Sequence, residues 1–163
     1  MPTAVLINGP IASGKTTVGR ALQALVPKSA LIDGDDHGAP AEISLSARWT
    51  FALWRIDGAV RDALQAGRNA IVAWPLTPLH FEHLRDTAHE CGAIVFCATL
   101  CPPIEIVLTG RGRTLTPWER ERIAAMYAEG YAARRFSDVL IDTATTDAAT
   151  SAQEILRAMT TTR

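Results

Sequence analysis

The sequence predicts an α/β fold in which a parallel sheet is covered by helices on both faces. Five short apolar segments, typical of buried strands, alternate with segments whose apolar residues recur at helical spacing. A glycine-rich loop follows the first strand and opens the first helix. The 163 residues are 48% hydrophobic, which is enough for one domain with its own core. We therefore expect a single three-layer domain over residues 1–163.

The glycine-rich loop fits the pattern G-x-x-x-x-G-K-[ST] in full, from Gly9 to Thr16. An apolar run at 4–7 precedes it as a strand, and Val18 begins the apolar face of the following helix. In this context successive backbone N–H groups and the helix dipole favour a bound phosphate. The residues predicted to contact a nucleotide are Gly9, Ala12, Ser13, Gly14, Lys15, Thr16 and Thr17.

This motif predicts a P-loop NTPase fold with ATP and Mg²⁺ as cofactors. Lys15 is expected to reach the β- and γ-phosphates, and the Thr16 hydroxyl to ligate the metal. The alternative is a glycine turn that only joins a strand to a helix.

The elements after the first helix follow from apolar runs and from the residues that end them. Residues 30–32 form a short second strand that runs into a turn rich in Asp and Gly. A long helix then begins near residue 45, with apolar residues at steps of three or four, and Gly67 ends it. The run at 70–74 is the third strand, which Pro75 closes.

Two later helix starts carry specific signals. Thr77 and Pro78 suit the N-cap and first position of a helix, and Thr116 to Glu119 is a capping box. The remaining predicted elements are a helix from Thr77-Pro78, a strand at 93–100, a short helix at 104–108, a helix from Thr116 to about Arg135, a strand at 139–141 and a helix after Asp147.

The acidic turn after the second strand is the first candidate for catalysis. Ligands of open α/β sheets bind beyond the carboxyl ends of the strands, where Asp33, Asp35 and Asp36 fall. A carboxylate there could accept a proton from an attacking hydroxyl or orient Mg²⁺. The alternative is that these residues, with His37, only build the turn.

A short basic segment between two helices is the second candidate. Arg111 and Arg113 are flanked by glycines, and arginine suits the charge that develops during phosphoryl transfer. We expect a lid at about 110–118, with Arg111 contacting the nucleotide and Arg113 acting in catalysis. The alternative is a solvated basic turn, and Arg120 and Arg122 fit a surface helix face better.

The acceptor pocket is the least defined part of the sequence. Trp74 ends the third strand, at the edge of the sheet where ligands bind. Arg48 and Trp54 lie on the long helix outside the row of apolar residues that faces the core. These three residues are therefore candidate acceptor contacts. Asp33 and Asp35 belong to the same set. Trp49 fits the core stripe and is assigned to the core, whereas His80 and His83 could line the pocket or be structural.

Composition and charge exclude several classes of function. The net charge of −1 argues against a broad nucleic-acid surface, and no apolar run approaches the roughly 20 residues of a membrane span. The chain opens directly into a strand, so we expect no signal peptide. Cys91, Cys97 and Cys101 lack zinc-site spacing and are interpreted as free thiols. We therefore expect a cytoplasmic protein without nucleic-acid or membrane partners, and the oligomeric state stays open.

Four stretches together resemble the shikimate kinase and gluconate kinase group of small P-loop kinases, and the resemblance runs nearly the full length. Within that group the chain is most similar to chloramphenicol phosphotransferase and the tunicamycin-resistance proteins, the latter through the Ile-Asn-Gly-Pro lead-in, the tryptophan-bearing second helix and the Trp-Pro strand end. The four stretches are residues 7–17, Asp33-Gly34-Asp35, Arg111 with Arg113, and residues 137–143.

This resemblance implies strand order 2-3-1-4-5, Asp35 as the base on the acceptor side, and Asp33 as a support for Mg²⁺. The function expected is an ATP- and Mg²⁺-dependent kinase that phosphorylates a hydroxyl of a small molecule, with an antibiotic as one candidate acceptor. The alternatives are a nucleoside, nucleotide or sugar-acid kinase, and a nucleotide-binding protein that sequesters a drug.

Overall fold

The computed structural model describes residues 1–161, and of Leu45 only the backbone, so the last two residues of the predicted domain and the Leu45 side chain lie outside it. Five strands alternate with six α-helices in this part of the chain. The strands are β1 (Thr3–Asn8), β2 (Ser29–Asp33), β3 (Asn69–Ala73), β4 (Ile94–Leu100) and β5 (Val139–Ile141). The helices are α1 (Lys15–Leu25), α2 (Leu45–Gln65), α3 (Pro78–Glu90), α4 (Ile104–Leu108), α5 (Pro117–Ala128) and α6 (Ala148–Thr161).

The five strands form one parallel sheet with the order β2-β3-β1-β4-β5, as predicted. β1 is the central strand, with Ala4 beside Ala70 of β3 and Thr3 beside Ile94 of β4. All six β1 residues are buried. The carboxyl ends of the strands therefore share one edge, where the phosphate loop and the acidic turn both begin.

Helices cover both faces of the sheet because alternate strand residues point to opposite sides. Leu6 joins a cluster with α2 and α3, whereas Val5 and Ile7 join a cluster with α1 and α6. α2 is 21 residues long, yet none of the helices within residues 1–161 combines the length and apolar character needed to cross a membrane. A smaller cluster under α4 and α5 contains Val107 and Ile123.

Most helix boundaries agree with the sequence signals, but α5 is shorter than predicted. The Thr116 hydroxyl accepts from the Glu119 amide, and the Glu119 carboxylate accepts from the Thr116 amide, which completes the capping box. α5 ends at Ala128 instead of near Arg135 because Gly130 adopts a left-handed φ of 81°. The following chain then turns back into the core.

Candidate active site

The phosphate loop joins β1 to α1 in a conformation that only small residues allow. Gly9 has a φ of 151°, and a Cβ there would lie 2.6 Å from Ser13 Oγ and 2.8 Å from the Leu100 carbonyl oxygen. Gly14 is the N-cap of α1 and has a left-handed φ of 98°. No side chain forms a capping hydrogen bond at this helix start. The amino end of α1 therefore presents its backbone N–H groups to the loop, an arrangement that attracts anions.

The Ser13 side chain supports this interpretation. Its hydroxyl is buried and forms no hydrogen bond with any group of the described chain. Buried polar atoms almost always have a partner, so an unpaired hydroxyl inside a glycine-rich loop fits an oxygen-bearing ligand such as a phosphate. The loop therefore has the room, the dipole and the donors that a nucleotide phosphate requires.

Lys15 lies at the start of α1, and its ammonium group folds back over the loop. Nζ donates to the carbonyl oxygens of Gly9, at 3.0 Å, and Pro10, at 2.7 Å. Burial lowers the pKa of Lys15 from its ordinary 10.5 to about 8, although the negative charges of Asp35 and Asp33 oppose that shift. The two carboxylates are therefore close enough to the phosphate loop to act on its lysine.

The acidic residues form a 3₁₀ turn, Gly34–His37, directly after β2. Asp33 caps this turn, because its Oδ1 accepts from the Asp35 amide at 3.1 Å. His37 Nδ1 lies 2.7 Å from the Asp33 carbonyl oxygen, which assigns His37 to the turn. The Asp35 carboxylate is exposed and forms no hydrogen bond with any group of the described chain. Asp33 is thus held in place, and Asp35 is free to meet a ligand.

Two depressions flank the phosphate loop. The α6-side recess is about 300 Å³ and is lined by residues of the loop, the basic segment and the amino end of α6, among them Thr17, Arg111 and Thr143. The α2-side cleft is about 590 Å³ and is lined by Lys15, Thr16, Asp33 and Asp35 together with aromatic residues. Arg113 and the loop residues Ala12, Gly14 and Thr17 line both.

Arg111 ties the basic segment to the phosphate loop. Its Nη1 donates to the Ser13 carbonyl oxygen at 3.1 Å and to Thr143 Oγ1 at 2.9 Å, while Nη2 donates to the Thr143 carbonyl oxygen. The Thr143 hydroxyl itself donates to the Ser13 carbonyl oxygen at 2.7 Å. Thr143, which follows β5, was missed as a contributor because its partner is 130 residues away in sequence.

Arg113 is positioned by the capping glutamate of α5. Its Nη1 lies 2.8 Å from Glu119 Oε1, while the other carboxylate oxygen accepts from the Thr116 amide. These bonds, with the backbone bond to Thr116 as the larger cause, lower the pKa of Glu119. The turn before Arg113 requires a glycine, since a Cβ at Gly110 would lie 1.9 Å from the Arg113 carbonyl oxygen. Glu119 is a cleft residue that sequence analysis assigned only to capping.

Aromatic side chains form one wall of the α2-side cleft. The ring centroids of Trp49 and Trp74 are 5.7 Å apart, and His80 stacks on Trp74 at 4.6 Å. Trp118, at the start of α5, also lines this cleft. The assignment of Trp49 to the core was wrong, because 47% of this residue is exposed and its indole contacts the cleft residue Trp74. Burial, more than the neighbouring His83, lowers the pKa of His80 below its ordinary value.

Two of the predicted acceptor contacts lie elsewhere. Trp54 is 70% exposed and packs against Phe51 on the outer side of α2, and it does not line the cleft. Arg48 donates to the carbonyl oxygens of Ile43 and Ala41, so it fixes the segment before α2. Of Arg48, Trp54 and Trp74, the three aromatic and basic residues predicted to contact the acceptor, only Trp74 lines the cleft with the two aspartates.

Asn8 is another residue whose role the sequence did not reveal. Its Oδ1 accepts from the Leu76 amide at 2.8 Å, and its Nδ2 donates to Thr99 Oγ1 and to the Tyr131 carbonyl oxygen. The side chain is fully buried at the end of β1. It therefore fixes the segment after Trp74 relative to the phosphate loop.

Two residues could contribute ligands to Mg²⁺, although the described residues form no complete metal site. Within residues 1–161, no group of three or more His, Cys, Asp or Glu side chains is arranged to bind an ion. The hydroxyl of Thr16 and the carboxylate of Asp33 nevertheless line one cleft beside Lys15. Mg²⁺ commonly takes one or two protein oxygens and completes its coordination with substrate phosphates and water, so this donor set fits.

Comparison with known proteins shows the fold through solved structures. No protein-family model and no curated protein matches this sequence. A gluconokinase from Sinorhizobium meliloti is 17% identical with a TM-score of 0.74, covering 98% of this chain and 93% of that one. The APS kinase of Mycobacterium tuberculosis, solved with AMPPNP and APS, is 18% identical with a TM-score of 0.70, covering 98% of each chain.

A tunicamycin resistance protein from Deinococcus radiodurans is 19% identical with a TM-score of 0.67, covering 98% of this chain and 96% of that one. The strand order, the loop geometry and these full-length similarities agree. This chain has the fold of the small P-loop kinases.

Proposed function

We propose that this protein is an ATP- and Mg²⁺-dependent kinase that transfers the γ-phosphate to a hydroxyl of a small molecule. The observation that carries the proposal is the pair of depressions that meet at the phosphate loop and share Arg113. One depression suits a nucleotide and the other suits an acceptor, so a phosphoryl group at the loop would lie between them. The similarity to small-molecule kinases supports the same conclusion.

The reaction divides among three side chains of the α2-side cleft. Lys15 and Arg113 carry the positive charge that stabilises the oxygens of the transferred group. Asp35 accepts the proton of the acceptor hydroxyl. The hydroxyl oxygen forms the new bond to the γ-phosphorus while the bond between that phosphorus and the ADP oxygen breaks. The Asp35 carboxylate is available as the base because it forms no hydrogen bond in the described chain, and the turn is capped by Asp33 instead.

The phosphate loop, Arg111 and two oxygen ligands hold the nucleotide and the metal. Residues 9–17 surround the phosphates, and Arg111 joins that loop to Thr143. Thr16 and Asp33 would hold Mg²⁺, which, when bound, neutralises phosphate charge. Residues 110–118 act as a lid over the single domain of residues 1–163, since Arg111 lines the α6-side recess and Arg113 lines both depressions.

The acceptor defines the finer function. Similarity to a tunicamycin resistance protein makes antibiotics one set of acceptors to test, and similarity to a gluconokinase makes sugar acids another. A nucleoside or nucleotide kinase is a further candidate. A protein that binds a drug with nucleotide but never phosphorylates it is the alternative outside catalysis.

The test is a screen of hydroxylated antibiotics, sugar acids and nucleosides for ATP-dependent formation of a phosphorylated product. Asp35→Asn should lower kcat by about 10²–10⁴-fold, because the amide cannot take the proton. AMPPNP affinity should stay near wild type in the acidic range where Lys15 keeps its charge in both proteins. The matched control is Asp36→Asn, which changes an exposed carboxylate of the same turn that does not line the cleft. A wild-type protein that binds a drug without phosphorylating it would establish sequestration.

A further inference from the structure

The charges of the α2-side cleft restrict what the acceptor can be. Five charged side chains line it: Lys15, Asp33, Asp35, Arg113 and Glu119. Arg113 is paired with Glu119 at 2.8 Å, and Lys15 is bonded to the phosphate loop. Since the proposed function assigns Asp33 to Mg²⁺, Asp35 sets the sign of the charge that the acceptor meets.

Basic groups that could offset these carboxylates are directed elsewhere. Arg48, beside the aromatic wall in sequence, donates to two backbone carbonyl groups and does not line the cleft. Arg111 is bonded to Ser13 and Thr143 on the other side of the phosphate loop. Among the described residues that line the cleft, an acceptor with a carboxylate, sulfate or phosphate would meet no cation without another partner. It would also lie next to like charge, which weakens its binding.

Indole rings supply the other half of the recognition. Trp49 and Trp74 form a continuous wall, and Trp118 lines the same cleft from α5. Trp118 is 65% exposed and Trp49 is 47% exposed, so both offer ring surface that the core does not use. Indole faces bind flat apolar or aromatic groups and attract cations.

From this combination we infer that the acceptor is an uncharged or cationic alcohol with a flat aromatic or apolar ring face, and that anionic alcohols are rejected. The inference rests on the proposed kinase function, since it assigns the α2-side cleft to the acceptor. It separates this protein from the gluconokinase and the APS kinase that share its fold, whose named substrates are anions.

The test uses three probes with one ring and one hydroxymethyl group: para-(hydroxymethyl)benzoate, the corresponding benzamide and the corresponding benzylamine. Each is titrated by calorimetry into the protein saturated with AMPPNP and Mg²⁺. The benzamide and the benzylamine should bind about tenfold more tightly than the benzoate, or more, which is about 1.4 kcal/mol. Equal or tighter binding of the benzoate, or no binding by any of the three, would overturn the inference.

Variants separate the ring contribution from the charge contribution. Trp49→Ala should weaken the benzamide and the benzylamine by about 2- to 10-fold, in the range expected for an aromatic pair. Trp54→Ala, on the outer side of the same helix, is the matched control and should change neither. Asp35→Asn removes one negative charge, so it should lower the ratio of benzylamine affinity to benzoate affinity. An unchanged ratio would contradict the charge argument.

These titrations do not depend on turnover, so the two proposals can fail separately. If the neutral and cationic probes bind as expected but no alcohol of that class is phosphorylated, kinase activity is wrong and the ligand class stands. If gluconate or another anionic alcohol is phosphorylated efficiently, and Trp49→Ala does not alter its turnover, the ligand class is wrong and the kinase proposal stands.

Discussion

The close approach of Gly34 to Trp74 gives a prediction that depends on the acidic turn and the aromatic wall together. A Cβ at Gly34 would lie 2.0 Å from Trp74 Cδ1 and 2.6 Å from Cγ. Carbon atoms pack at about 3.5–4.0 Å, so Gly34→Ala requires a displacement of about 1.5 Å. Trp74 is only 4% exposed and is stacked on His80, which leaves the turn that carries Asp33 and Asp35 to move.

The expected magnitude follows from that displacement. Overpacking a well-packed site costs about 1–3 kcal/mol, and for a chain of 163 residues each kcal/mol lowers Tm by about 2–4 °C. A misplacement of about 1 Å in a catalytic group can cost about 10²-fold in rate. Gly34→Ala should therefore lower both Tm and kcat, with kcat affected more than the loss of stability alone explains.

Thermal unfolding and phosphotransfer to the acceptor found by the screen measure the two effects. The matched control is Gly58→Ala in the interior of α2, where a Cβ would meet nothing within 4 Å. That change should stabilise the protein by about 0.5–1 kcal/mol and leave kcat unchanged. If Gly34→Ala unfolds and turns over like wild type, the packing argument for the turn is refuted.

Three further predictions concern neighbouring side chains. Asn8→Ala leaves a buried amide and a buried carbonyl unpaired, which should cost about 1–3 kcal/mol for each group in denaturant unfolding, and a loss below 1 kcal/mol would exclude its connecting role. Burial lowers the pKa of Lys15 to about 8, so its ammonium group loses its charge above that pH, and AMPPNP affinity should fall as pH rises from 8 to 10. Asp35→Asn removes the larger of the two charges that oppose this shift, so the fall in affinity should move to lower pH. AMPPNP affinity that does not change with pH in either protein would contradict the role of Lys15. Arg113→Ala should lower kcat far more than AMPPNP affinity, and Glu119→Gln, which keeps the capping box, should lower kcat only several-fold in single-turnover assays.

The parts of the fold that depend on local signals could be predicted from the sequence. Apolar runs marked all five strands, and the glycine pattern with its flanking strand and helix marked the phosphate loop. Thr77 and Thr116 marked the helix starts, because capping depends on residues three positions apart. The predicted end of α5 was wrong, because the sequence does not show that Gly130 adopts the left-handed conformation that ends the helix.

The acceptor side of the cleft depends on contacts that local patterns do not contain. Trp49 has the spacing of the α2 core stripe, yet 47% of it is exposed and its ring contacts Trp74 in the cleft. Ile56, on the same stripe, is fully buried. Asn8 bonds to groups 68, 91 and 123 residues away. The packing of Gly34 against Trp74 likewise requires the third dimension.

The placement of the indoles gives the protein an optical reporter of its own. The sequence has four tryptophans, and Trp49, Trp74 and Trp118 all line the α2-side cleft. Trp54 alone lies outside it, exposed on α2. In a Trp54→Phe protein, all tryptophan fluorescence would come from indoles that line the cleft. Selective excitation of tryptophan would then report ligand entry as quenching or a spectral shift, without a label. Stopped-flow measurements on that protein could then time acceptor binding independently of the chemical step.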